Sequence, residues 1–117
     1  MLFRSLEADS GVFEPTRFGF SGSLAARTVM RDITALVAPL NMADTISGGG
    51  GADIDPIAQM GRVPTMAFMG DPTRFFPIHH TAADTVERIP ADEVARAAAA
   101  ISVVTYVVAE MPERLPR

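Results

Sequence analysis

The apolar and polar positions of this chain fall into an alternating strand and helix succession. Residues 2–9, LFRSLEAD, alternate loosely around leucine and phenylalanine and predict a strand ending near Asp9. Residues 10–22 carry Gly and Pro punctuation and predict an irregular connection. From Ser23 the period becomes helical: Leu24, Met30, Ile33 and Val37 share one face, Ser23 suits the N-cap, and Pro39 closes the segment. A short strand at 43–46 runs into SGGGG. A short helix follows, with Asp55 as its N-cap, Pro56 at its first position and Gly61 as its C-cap. VPTMAFM, 63–69, predicts a buried strand, and residues 70–89 a long loop. Pro90 then opens a helix running to about Ala109, with Asp92 and Glu93 in its first turn, where carboxylates complement the helix dipole. Residues 97–109 are apolar on nearly every side, the mark of a helix buried all round. The expectation is an α/β fold of about three strands and three helices.

Composition changes this picture little. The 117 residues fit one domain, 1–117, and the net charge of −4 offers no basic surface, so neither nucleic acid nor a membrane is an expected partner. The apolar run 97–109 is too short to span a bilayer. With no cysteine, disulfides and thiolate metal sites are excluded. All ten basic residues are arginine, to which no mechanism attaches.

Candidate chemistry gathers at two places. In open α/β sheets, sites lie beyond the carboxyl ends of strands. Asp9 ends the first predicted strand, and the only histidines, His79 and His80, lie in the loop after the third. Taken singly, each has a plainer explanation: an acidic residue at a strand end is usually a turn or cap residue, and two loop histidines need hold no metal. The glycines Gly48 to Gly51 lack the Lys-Ser/Thr of a phosphate loop and predict close backbone approach instead. Asp53 is a candidate to line a cleft, Asp55 a helix cap. Asp92 and Glu93 read as structural. There is no cysteine nucleophile and no Gly-x-Ser-x-Gly elbow.

In combination the motifs are more specific. EADSGVFEPTRFGFSGS, GGGGADIDP, IHHTAADT and AAAAISVVTYVVAEMPERLPR occur in order from Glu7 to Arg117. Together they resemble the C-terminal portion of the carboxypeptidase Q (plasma glutamate carboxypeptidase) group of di-zinc metallopeptidases. The resemblance implies part of a three-layer domain with a mixed sheet. It implies that Asp9, in Glu-x-Asp-x-Gly, and His80, in His-His-Thr-x-x-Asp-Thr, are zinc ligands, each serving a different one of two ions. His79 is then a neighbour, Asp84 steadies the loop or His80, and Asp53 lies near the cleft. Zinc of this kind polarises a scissile carbonyl and lowers the pKa of a water, and small peptides are the implied substrates. A secreted or periplasmic location goes with the resemblance.

The departure is as informative. The family's remaining ligands, a histidine, a bridging aspartate and a glutamate, have no counterpart here, nor has its general-base glutamate, so no catalytic residue is assigned. The expectation is a zinc-dependent exopeptidase or dipeptidase fragment that hydrolyses peptides only when completed by an N-terminal half. Alone it is expected to bind zinc weakly, to be inactive, and to self-associate through an unpaired sheet edge. The alternative is a non-catalytic structural or interaction module derived from the same domain, and a complementing chain is a further conceivable partner. The insertion of Arg62 before Val-Pro in MGRVPT is a minor loop change.

Overall fold

Phenylalanines at alternate positions of two neighbouring strands organise the core. A computed structural model describes residues 5–116. The strands are β1 (Ser5–Glu7), β2 (Arg17–Ser21), β3 (Asp44–Ser47) and β4 (Thr65–Met69), in the spatial order β1-β4-β2-β3. β1 runs parallel to β4, β2 antiparallel to β4, and β3 parallel to β2, so the sheet is mixed, as expected. The helices are α1 (Leu24–Thr34), α2 (Asp55–Gly61), α3 (Pro72–Phe75) and α4 (Ala91–Glu110).

Register decides the layers. Phe18 pairs with Phe68 and Phe20 with Met66, so all four point to one face of the sheet. They are buried together with Met30 and Ile33 of α1 and Ala97, Ala100 and Val104 of α4. The Phe18 and Phe68 rings meet edge to face at 5.8 Å between centroids. Thr45, opposite Phe18, shares a 2.8 Å hydrogen bond with the fully buried Thr34 of α1, which fastens α1 to the same face.

Ser23 caps α1 as the sequence predicts, accepting from the Ala26 amide at 3.1 Å. Leu24 is instead 81% exposed, so the buried stripe begins at Ala26. Pro39 lies within a 3-10 stretch, Ala35–Leu40, that prolongs α1, and Asn41 ends it in the left-handed region at φ 61°.

Four expectations need correction. The segment expected to be irregular contains β2, an interior strand of the sheet. Gly19 sits between Phe18 and Phe20 and weakens the strand signal, yet the position requires it: a Cβ there would run into the Gly48 carbonyl oxygen. Loop 70–89 holds α3 and a 3-10 turn at Val86–Arg88. And α4 is buried along one stripe only: Val94, Val103 and Tyr106 are exposed. At α2 the caps shift by one residue, to Ile54 and to Arg62, which stands in the left-handed region at φ 48°.

The other face of the sheet carries Glu7, Gly19, Ser21, Thr65 and Ala67. Across it runs the glycine tract. The Gly48 amide donates to the Phe20 carbonyl at 3.2 Å, and the Gly49 carbonyl accepts from Ser21 Oγ at 3.1 Å and Thr65 Oγ1 at 2.8 Å. Beyond it Gly51 lies against the Glu7 carboxylate, whose Oε2 accepts from the Ile54 amide at 3.3 Å. The tract thus passes from β3 over β2 and β4 to β1, and its bare backbone is what the narrow gap admits.

β1 pairs with β4 alone among the described residues. Beside it a groove of about 380 Å³ is lined mainly by apolar groups, including Leu6, Met66, Val104 and Val108. No helix among the described residues is long and apolar enough to cross a membrane.

Candidate functional site

Because β1 and β4 are adjacent and parallel, their carboxyl ends open on the same end of the sheet. Asp9 follows the end of β1 by two residues, and the loop carrying the histidines leaves from the end of β4. The two candidate ligands thus leave the sheet at one end, although 70 residues separate them in sequence.

The loops that carry them touch. Asp71 donates its backbone N–H to the Phe13 carbonyl at 2.6 Å, and the Thr16 amide reaches the Met69 carbonyl at 3.3 Å. Asp71 caps α3, accepting from both the amide and the hydroxyl of Thr73 at 2.8 Å. Those bonds, the hydroxyl's first, hold the Asp71 carboxyl below its ordinary pKa. Beyond α3 the helical turn continues, with the His79 amide bonded to the Phe75 carbonyl at 3.0 Å. Phe75 and His79 are four residues apart and their rings lie 4.4 Å apart at 32°. His79 in turn stacks on His80 at 3.8 Å and 37°.

His80 stands in the left-handed region at φ 59°, a conformation costing about 1–2 kcal/mol for a residue with a Cβ. Such strain gathers at functional positions. Its ring is exposed, as is the Asp9 carboxylate, and among the described residues neither is engaged in a hydrogen bond. Exposed carboxylate and imidazole donors of this kind suit zinc chemically. Two donors are still a partial set: no group of three or more His, Asp or Glu that could hold a metal ion occurs among the described residues. No catalytic step can be built from these residues alone.

The remaining predicted residues are placed as follows. Asp84 is exposed; its amide bonds to the Thr81 carbonyl at 3.1 Å, and its carboxylate makes no hydrogen bond to His80 among the described residues. Asp53 is exposed in the turn before α2, next to Ile54, whose amide meets Glu7.

Beneath α3 lies an ion pair whose partners the sequence does not join, although Glu93 is read there as structural. Arg74 makes a 2.6 Å ion pair with Glu93, which is 5% exposed, and lies 4.7 Å over the Phe13 ring. The Glu93 hydrogen bond holds the Arg74 guanidinium proton more tightly than usual. Arg96 reaches Glu14 at 3.6 Å. The signal for Phe75 was its four-residue spacing to His79; nothing local marked Glu93 as different from Asp92.

Over 112 residues, 96% of its length, the chain is 40% identical to human carboxypeptidase Q and 42% identical to the mouse protein. The chain is a homologue of the carboxypeptidase Q group of metallopeptidases. It spans about a quarter, 24%, of the length of those relatives and corresponds to the group's C-terminal portion. The Xenopus laevis carboxypeptidase Q is 35% identical over the same 112 residues. A crystal structure of a Peptidase M28 precursor from Shewanella amazonensis superposes with a TM-score of 0.87 over 98% of this chain and 26% of its own. At 22% identity that likeness establishes the fold, and it agrees with the mixed sheet described above. No family model matches the chain.

Proposed function

We propose that this chain carries part of the metal centre of a zinc-dependent exopeptidase, with Asp9 and His80 each serving one of two zinc ions. The observation that carries the reading is the shared exit of β1 and β4, which brings two unengaged, zinc-suited donors to one end of the sheet. When bound, a zinc pair polarises a peptide carbonyl and makes a water acidic enough to attack it. The chain supplies neither a bridging carboxylate nor a general base, so hydrolysis of small peptides belongs to a larger assembly. Carboxypeptidase Q relatives support a peptide as the substrate class, and a secreted or periplasmic setting goes with the family resemblance.

The test is a chimera in which the matching 112 residues of human carboxypeptidase Q are replaced by this chain. Zinc-dependent dipeptide hydrolysis is expected, abolished by a chelator. Asp9→Ala and His80→Ala should each lower kcat/KM by more than the roughly 10–100-fold lost with an outer partner of a ligand. Full activity in the His80→Ala chimera would refute the assignment. Chain 1–117 by itself should bind less than one equivalent of zinc and cleave nothing; two tightly held ions and measurable cleavage would show that the site is complete after all.

A further inference from the structure

Resting on that reading, we propose that Phe75 is the positioning residue of His80, held in place from behind by the Arg74–Glu93 pair. Four groups form one column from loop to loop. Gly11, two residues after Asp9, lies so close to the Phe75 ring that a Cβ there would approach Phe75 Cδ2 to 2.7 Å. Phe75 stacks on His79 and His79 on His80. The column therefore begins beside one candidate ligand and ends at the other.

Its foot is α3, a helix of four residues that cannot hold itself. Three attachments fix it: the Asp71 cap, the guanidinium of Arg74 over Phe13, and the 2.6 Å bond from Arg74 to Glu93. Glu93 is the only charged residue among the buried ones described, and its Oε2 has no hydrogen-bond partner. A buried carboxylate with one oxygen unsatisfied is costly, and the Arg74 contact offsets that cost. The pair accordingly does more for placement than for net stability. It sets where α3 sits on α4, hence where Phe75 meets Gly11, hence where His79 and His80 stand. His79, which is not itself assigned as a ligand, acts as the spacer.

The test follows the histidine ring signals of chain 1–117 by NMR, with and without added zinc. Phe75→Leu keeps apolar volume against Gly11 but removes the ring; the His79 signals should lose their ring-current displacement and the zinc midpoint at His80 should weaken roughly tenfold. Phe75→Tyr should restore both. Glu93→Gln and Arg74→Lys, which keep the Phe75 ring but loosen the seat of α3, should shift and broaden the same signals. If Phe75→Leu stays folded and leaves ring shifts and zinc midpoint as in the wild type, the proposal fails. If Phe75→Leu unfolds, the Glu93→Gln and Arg74→Lys variants decide: moved histidine signals uphold the column, unmoved ones overturn it. Ring shifts that behave as expected while wild-type His80 ignores zinc would uphold the column and defeat the zinc reading alone.

Discussion

Replacing Gly19 by alanine tests how the glycine tract crosses the sheet. A methyl group at this position would penetrate the Gly48 carbonyl oxygen and touch Met69 Sδ at 3.4 Å. The oxygen is backbone, so it moves only if β3 and the tract move with it. Two terms then add. Forcing an extra carbon into a packed site costs about 1–3 kcal/mol. Displacing Gly48 also weakens its 3.2 Å hydrogen bond to Phe20, worth about 0.5–1.5 kcal/mol. The expected loss is about 2–4 kcal/mol. For a domain near 100 residues each kcal/mol shifts Tm by about 4–8 °C, so the melting point should fall by roughly 10 °C or more. Thermal unfolding followed by circular dichroism measures it. Gly61→Ala is the control: its added carbon meets only the Val63 side chain, at 2.9 Å, and alanine favours the helix there. If Gly19→Ala melted within two or three degrees of the wild type, to use a round threshold about the size of a surface substitution, the close crossing of β2 and the tract would be refuted.

Three further outcomes follow from features of the same fold. Arg62 closes α2 at φ 48°, where glycine is unstrained, so Arg62→Gly should raise stability by about 0.5–1 kcal/mol in urea unfolding; no change, or a loss, would contradict the cap geometry. The Asp71 carboxyl is held below its ordinary pKa by Thr73, so its contribution is present above that ordinary value and is lost as pH falls through the lower folded-state value. Asp71→Asn should therefore be less stable than the wild type near neutrality and converge with it in acid; a gap that persists unchanged at the lowest pH would show the carboxylate to be irrelevant. The groove beside β1, together with that strand's free edge, should make chain 1–117 associate, seen as a molar mass that rises with concentration in light scattering. A constant monomer mass would count against it.

The parts of the fold legible in the sequence are those where one residue does one local job. Ser23 caps α1, Pro90 precedes α4, and the apolar run at 65–69 is a buried strand. The parts that were not legible depend on distant partners. Gly19 and Pro15 give the segment around β2 the composition of a loop, and only the crossing of Gly48 beneath Gly19 explains the glycine. The apolar girth of α4 suggests burial on every side, yet Ala97, Ala100 and Val104 enter the core with Ile101, Val107 and Val108 beside them, while Val94, Val103 and Tyr106 stay exposed. At the site, Asp9 and His80 are visible as motif residues. The column behind His80 is not, since Arg74 and Glu93 meet across 19 residues of chain and only α3 docking on α4 unites them.

The junction of β1 and β4 acts as a caliper between Asp9 and the histidine loop. It consists of three opposed pairs, Ser5 with Thr65, Leu6 with Met66 and Glu7 with Ala67. A slip of one residue would carry Asp9 about 3.3 Å along the strand and turn its side chain to the opposite face. The span between Asp9 and the loop that carries His80 is therefore written in strand register, and three pairs hold a register loosely. A strand paired with the open side of β1 would tighten that setting, and so fix the position of Asp9 without touching it.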